Sequence, residues 1–148
     1  MKILGIDYGE KRIGVALSDP SNMVARSLKV LKRNGTRSWL GDIKAIVGQN
    51  KIEKIVIGLP RNMNGSLGGK GKEVLAFVKV LEKVIRVPIV TWDERLTTVS
   101  AEKVLRQARL SRKKRKDSLD KVSACIILQN YLDSIGWGQK EKSRESNK

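Results

Sequence analysis

Hydrophobic and polar residues alternate at the start of the chain, which predicts a β-hairpin. With a period of two, the first strand has large apolar side chains on one face and Ile3, Gly5 and Asp7 on the other. After a turn at residues 9–11, the returning strand likewise groups its small residues on one face: Gly14, Ala16 and Ser18. If these small residues share a face with Asp7, a helix or a ligand can come close to that carboxylate. The alternative is that Asp7 only closes the strand into the turn.

The next segments predict helices that alternate with strands. In chain order they are a short strand at residues 27–31, a helix with Trp39, Ile43, Ile46 and Val47 on its apolar face that ends at Asn50, an apolar strand at residues 55–59, a helix marked by Val74, Val78, Leu81 and Ile85, and a strand at residues 89–93. Three antiparallel strands followed by this alternation predict an α/β fold. We expect a mixed sheet of about five strands with helices on both faces.

The remaining residues predict two further helices and a tail. Thr97 or Thr98 can cap a helix that runs to about Arg109, and Asp117 can cap a last helix with a broad apolar stripe. From Gly136 the composition is too polar to bury enough surface for stable order. The chain has 148 residues, which is enough for one domain. We therefore expect one domain over residues 1–135 and a flexible basic tail over residues 136–148.

The composition restricts both partners and chemistry. There are 31 lysines and arginines against 15 acidic residues, a formal charge of +16, which favours a polyanionic partner such as nucleic acid. The sequence has no histidine and a single cysteine, Cys125, so it excludes histidine-based triads, makes zinc sites very improbable and excludes a disulfide framework. Hydrolysis would have to use carboxylates with hard cations such as Mg²⁺ or Mn²⁺.

The chain also has features that bear on location. No apolar run approaches the roughly 20 residues of a transmembrane helix, and strand pattern begins at once without a signal peptide. We therefore expect a cytoplasmic protein with no membrane partner.

Carboxylates are predicted to converge at one edge of the sheet. Asp7 and Glu94 stand at the carboxyl ends of strands, and the first turn of the last helix carries Asp117 and Asp120 on one face. Such a cluster could hold the two cations of a phosphodiesterase. The alternative is that Asp117 caps the helix, Asp120 complements the helix dipole, and Asp93 or Glu94 lies in an ordinary turn. We assign Asp117 to capping; the small residues one turn after Asp120 would let that part of the helix approach the sheet.

Basic residues flank the predicted acidic edge. Lys11 and Arg12 lie in the hairpin, and a basic run precedes the last helix: Arg112, Lys113, Lys114, Arg115 and Lys116. These side chains could neutralise phosphates on either side of the carboxylates, and the position of the run favours binding over a merely solvated surface. Trp92 could stack on a base, but core packing is the better interpretation.

The glycine-rich stretch at residues 61–71 does not fit a phosphate-binding loop. Asn64 stands where the motif needs glycine, and Gly71 follows Lys70 where the motif needs serine or threonine. We interpret it as a flexible loop.

Several motifs in the right order resemble the YqgF, or RuvX, family. They are GIDYG at 5–9, KRIGVA at 11–16, GLP at 58–60, NGS at 64–66, DERLTT at 93–98, KKRK at 113–116, DK at 120–121 and IILQ at 126–129. The resemblance covers residues 3–133 and implies an RNase H-like fold and a metal-dependent nuclease. Carried over by motif, the catalytic, metal-binding residues would be Asp7, Glu94 and Asp120, around two Mg²⁺ or Mn²⁺ ions. The departures, Ser123-Ala124 for two alanines and Arg26-Ser27 where a proline is common, do not touch these residues.

The resemblance leaves the substrate open. It implies both a Holliday-junction-resolvase-like protein and an enzyme that trims the 5′ end of the small-subunit rRNA precursor. We favour processing of pre-16S rRNA by a monomer, because resolution of a four-way junction needs two sites from a dimer and two such cationic chains would repel. The alternatives are junction resolution and a non-catalytic RNA-binding protein of ribosome assembly. Asp7-Tyr8-Gly9 also resembles the phosphate turn of actin-like ATPases and sugar kinases, but 148 residues supply only one of their two domains.

Overall fold

The fold is a five-stranded mixed sheet with helices on both faces, which confirms the predicted α/β class. The computed structural model describes residues 1–95 and 122–136. The elements are β1 (Lys2–Tyr8), β2 (Arg12–Ser18), β3 (Ala25–Lys32), α1 (Ser38–Gln49), β4 (Ile52–Leu59), α2 (Gly69–Glu82), β5 (Ile89–Asp93) and a helix that occupies residues 122–136, here called the 122–136 helix. No helix within the two described ranges is long and apolar enough to cross a bilayer.

The order of the strands brings three of their carboxyl ends to one edge. The sheet runs β3-β2-β1-β4-β5, with β1, β2 and β3 antiparallel in sequence and β4 parallel to both β1 and β5. In β1, Asp7 lies opposite Gly14 of β2. In the last two strands of the sheet, Leu59 of β4 is paired with Asp93 of β5. Because β1, β4 and β5 are parallel, the last residues of all three lie at the same edge, as the sequence predicted.

The two faces of the sheet have separate cores. Helices α1 and α2 cover one face, where Tyr8 stacks on Phe77 at 4.2 Å between ring centroids and Trp39 packs against both rings. The 122–136 helix covers the other face, with Ala124 and Leu128 fully buried. Strand alternation explains this division, because successive side chains point to opposite faces.

The face of small residues is approached by a helix. A Cβ atom placed on Gly5 would lie 2.7 Å from Leu128 Cβ and 3.2 Å from the Ala124 carbonyl oxygen. Only glycine therefore fits at this point of β1. Of the two occupants that the sequence allowed for this face, helix or ligand, the structure shows the helix, and Asp7 lies two residues further along the same face.

Some helix boundaries in the structure differ from those that the hydrophobic pattern predicted. Helix α2 begins at Gly69, five residues before the apolar stripe that starts at Val74, so part of the predicted loop 61–71 is helical. The pattern missed this turn because Gly69, Lys70 and Gly71 carry no apolar signal and the two glycines have poor helix propensity. Ile85 is buried after the helix has ended at Glu82. The predicted helix to Arg109, the cap at Asp117 and the tail after Gly136 lie outside the described residues.

Candidate active site

A cavity opens at the edge where β1, β4 and β5 end. Its volume is about 260 Å³ and its walls come from β1, the start of α2, the end of β5 and the 122–136 helix. The residues that line it are Asp7, Lys70, Trp92, Glu94, Ser123, Ile126, Ile127 and Asn130. Two of the three carboxylates predicted for the site thus line the same cavity.

Strand geometry explains how Asp7 and Glu94 meet. Asp7 is half-buried on the face of β1 that packs against the 122–136 helix. Glu94 follows β5 directly, and its backbone N–H donates to the Leu59 carbonyl oxygen at 3.2 Å, which extends the pairing with β4 by one residue. By alternation Glu94 lies on the same face of the sheet as Trp92, and therefore on the side of Asp7.

The Glu94 carboxylate lies in an environment that opposes its charge. Partial burial is the largest cause that raises its pKa, and the negative charge of Asp7 raises it further. The positive charge of Lys70 acts in the opposite direction. Two carboxylates held together in partly desolvated surroundings are the arrangement that a bound cation would stabilise.

Asp93 does not join this cavity. Its carboxylate accepts hydrogen bonds from the Arg95 backbone N–H at 3.0 Å and from Arg95 Nη2 at 2.7 Å. The hydrogen bonds and charge of Arg95 lower the pKa of Asp93 to about 2. Alternation places Asp93 on the sheet face opposite Trp92, so the two adjacent acids have different surroundings.

The other predicted site residues are placed only in part. Arg12 lies on β2 two residues before Gly14, the partner of Asp7, so it shares the face of Asp7 at a diagonal position. Lys11 is exposed in the hairpin turn. Asp120 and the basic run, residues 112–116, lie outside the described residues. The described part by itself contains no group of three potential metal-ligating side chains.

Sequence reasoning missed three residues at the site. Lys70 and Asn130 line the cavity, and Asn130 is only 4% exposed. A Cβ atom on Gly58 would lie 2.7 Å from Glu94 Oε1 and would overlap Ile127 Cδ1, so this glycine makes room for the carboxylate. The signal for Asn130 was its helical spacing of seven residues from Ser123.

Trp92 combines packing with a place in the cavity wall. Its ring meets Tyr131 edge-on at 5.8 Å between centroids, in agreement with core packing. Within the described residues its indole Nε1–H is buried without a hydrogen-bond acceptor. A buried donor that lacks an acceptor is costly to the fold.

The raised pKa of Glu94 predicts an unusual effect on stability. A carboxyl group whose pKa is higher in the folded than in the unfolded state destabilises the fold when ionised, and this cost disappears as the pH falls through the folded pKa. In EDTA at pH 7, we expect Glu94→Gln to increase the free energy of unfolding, and we expect the increase to shrink at a pH of about 4, near the ordinary glutamate value.

Urea unfolding at the two pH values measures this difference. Glu73→Gln, at an exposed position of α2, is the control and should change little at either pH. Destabilisation by Glu94→Gln at pH 7 would mean that contacts of the carboxylate outweigh its desolvation.

Comparison with protein families gives a match over most of the chain. A family described as "RuvX: Holliday junction resolvase" matches residues 1–134. A relative from Desulforamulus reducens is 48% identical over 134 residues, which are 90% of this chain and 98% of the relative. A relative from Clostridium kluyveri is 52% identical over 135 residues, or 91% of this chain and 98% of the relative. Both relatives are named as candidate pre-16S rRNA nucleases.

Solved structures with the same fold are more distant in sequence. Thermus thermophilus RuvC, in complex with a Holliday junction substrate, gives a TM-score of 0.57 at 20% identity and covers 90% of this chain and 95% of its own. The fowlpox virus Holliday junction resolvase gives 0.54 at 13% identity, covering 91% of this chain and 99% of its own. These likenesses establish the fold, which is the RNase H-like one.

Proposed function

Since this chain belongs to the RuvX family, we propose that it is a metal-dependent endonuclease that processes the 5′ end of pre-16S rRNA. A nuclease is a hydrolase of phosphodiester bonds. The observation that carries the proposal is the convergence of Asp7 and Glu94 on one cavity at the carboxyl edge of the sheet. The relatives that are about half identical to the chain are named for pre-16S rRNA, which supports this substrate.

The donor set fits a hard divalent cation. Carboxylate oxygens are the ligands that Mg²⁺ and Mn²⁺ prefer, and the unfavourable surroundings of ionised Glu94 would be relieved by a cation between it and Asp7. We propose Asp120 as the third carboxylate, because it stands three residues before Ser123, which lines the same cavity. Asp7, Glu94 and Asp120 would then hold two such ions.

A bound divalent cation would supply an activated water and neutralise charge on the phosphate. The fold of the chain determines where the carboxylates and the basic side chains lie. Asp7 lies in β1 and the backbone of Glu94 is bonded to the end of β4, so one sheet sets both backbone positions. Arg12 lies on the face of Asp7. We propose that Arg12, Lys11 and residues 112–116 bind phosphates beside the cut.

A second candidate function is resolution of four-way DNA junctions, which the description of the family favours. Resolution requires paired cuts, and therefore two sites related by a two-fold axis. We propose a monomer, because the formal charge of +16 opposes association of two copies.

Incubation of the protein with labelled pre-16S rRNA and with four-way junctions, each with Mg²⁺, Mn²⁺ or EDTA, separates the candidates. We expect a single metal-dependent cut near the 5′ end of the rRNA, and a monomer in sedimentation at moderate salt. A dimer that cuts junctions symmetrically and leaves the rRNA intact would make the chain a resolvase. Tight RNA binding with no cleavage under any condition would make it a binding protein.

The basic run gives a prediction about salt. Replacement of the four residues at positions 112–115 by alanine should flatten the dependence of log affinity on log salt by about 0.7 to 0.9 for each phosphate that the variant no longer binds. Fluorescence anisotropy of a labelled RNA over a salt series in EDTA measures the slope. The control replaces Lys79 and Lys83, exposed lysines at the far end of α2 from the carboxyl edge, and should keep the slope closer to that of the wild type. Equal slopes for both variants would make the run a solvated surface.

A further inference from the structure

Helix α2 brings a lysine to the rim of the acidic cavity. Lys70 is the second residue of α2 and lines the cavity with Asp7 and Glu94. Its positive charge partly offsets the rise in the pKa of Glu94 that burial and Asp7 cause, so the ammonium group acts on that carboxylate. The side chain is exposed, which leaves it accessible to a substrate that enters from solvent.

The backbone of Lys70 is fixed by the glycine that follows it. A Cβ atom on Gly71 would lie 2.8 Å from the Pro60 carbonyl oxygen and 2.9 Å from Leu67 Cδ2, and Gly71 is buried. Only glycine allows this approach, which holds the first turn of α2 against the end of β4. That end of β4 also binds the backbone of Glu94, through the Leu59 carbonyl oxygen. Lys70 and Glu94 are thus anchored to the same strand end.

In the described part of the protein, no hydrogen bond or ion pair joins the Lys70 ammonium to another side chain. The neighbouring cation Arg95 differs, since its guanidinium binds Asp93 at 2.7 Å and donates to the Met63 carbonyl oxygen at 3.3 Å. A cation that forms no hydrogen bond or ion pair within residues 1–95 and 122–136 is suited to a ligand that carries negative charge.

We propose that Lys70 binds a non-bridging oxygen of the phosphate group at which the nucleic acid is cut. This inference rests on the proposed function and adds a residue that neither motif nor spacing indicated. The phosphate must approach two carboxylates, and the positive charge of Lys70 offsets that repulsion. As the phosphate gains charge during cleavage, the same ammonium stabilises it more strongly. A lysine suits this task because its flexible stem lets a point charge follow the changing phosphate.

Lys70→Met tests the proposal because it removes the charge and keeps much of the apolar stem. Lys72→Met is the matched control, since Lys72 is exposed two residues later in α2 and does not line the cavity. At saturating metal and substrate, we expect Lys70→Met to lower kcat by about 10²-fold, the order found for removal of one preorganised donor, while Lys72→Met stays close to wild type. Lys70→Arg should restore part of the rate.

A second measurement does not depend on cleavage. In EDTA, binding of a short labelled single-stranded RNA from the 5′ end of the rRNA should weaken in Lys70→Met, with a salt slope reduced by about 0.7, the value of one contact to a single strand. Lys72→Met should bind like the wild type. Equal binding by the two variants would overturn the proposal, even for a protein that cleaves nothing.

The cleavage assay has its own contrary outcome. If Lys70 only balances the charge of Asp7 and Glu94, its removal will change the metal concentration needed for half-maximal rate and leave kcat at saturating metal unchanged. That result overturns the proposal and leaves the nuclease function intact. Failure of the wild-type protein to cut any substrate would instead count against the proposed function.

Discussion

Asp7→Asn is expected to lower the rate of rRNA cleavage by about 10³-fold, or roughly 4 kcal/mol of transition-state stabilisation. Asparagine has nearly the same shape, so the fold should persist, but it lacks the negative charge that holds a hard cation. Asp7 lies at the end of the central strand β1, which pairs with β2 on one side and with β4 on the other. Single-turnover cleavage at saturating Mg²⁺ measures the reduction in rate.

Asp42→Asn is the control for this substitution, since Asp42 is exposed in α1 on the other face of the sheet. It should cleave like the wild type. Glu94→Gln and Asp120→Asn should each cause a reduction of similar order if all three carboxylates act together. Cleavage that survives all three changes would refute the acidic site, whereas a reduction confined to Asp7→Asn would mean that the remaining ligands are assigned wrongly.

Gly58→Ala should also have a large effect, although it neither removes nor adds a charge. The new methyl group would lie 2.7 Å from Glu94 Oε1 and 3.0 Å from Ile127 Cγ1, and closer still to Ile127 Cδ1. Glu94 has a flexible side chain and will move, whereas Ile127 is held in a packed helix. We expect the free energy of unfolding to fall by about 1 to 3 kcal/mol from overpacking, together with a fall in kcat because the Glu94 carboxylate is displaced.

Gly5→Ala separates these two effects. Its methyl group would meet the same helix, 2.7 Å from Leu128 Cβ, and Glu94 is not among the nearest atoms that it would meet. The two variants should be destabilised to a similar extent in urea unfolding, whereas Gly58→Ala should show the larger fall in kcat at a temperature where both remain folded. Equal activities would show that the carboxylate tolerates displacement and that Gly58 serves packing alone.

Only those residues of the candidate acidic site that stand at the ends of strands could be predicted from the sequence. Asp7 and Glu94 were recognisable because each ends an apolar strand, and parallel strands send their carboxyl ends to one edge. Lys70 was not, because its glycine neighbours give no helical pattern and its place depends on the packing of Gly71 against Pro60. From their positions alone, either Asp93 or Glu94 could have joined the site. In the structure Asp93 binds Arg95, whereas Glu94 lines the cavity.

By itself, the sequence predicted the strands and helices that the structure describes, the two faces of the first hairpin and the expectation that catalysis uses carboxylates. These follow from local periodicity and from the absence of histidine, which act without reference to distant residues. The tertiary structure decided that a helix covers the small-residue face, that Gly58 accommodates Glu94 and that Lys70 lines the cavity of the acids. Those facts depend on close approaches between segments far apart in the chain, and steric fit of that kind leaves no periodic signal in the sequence.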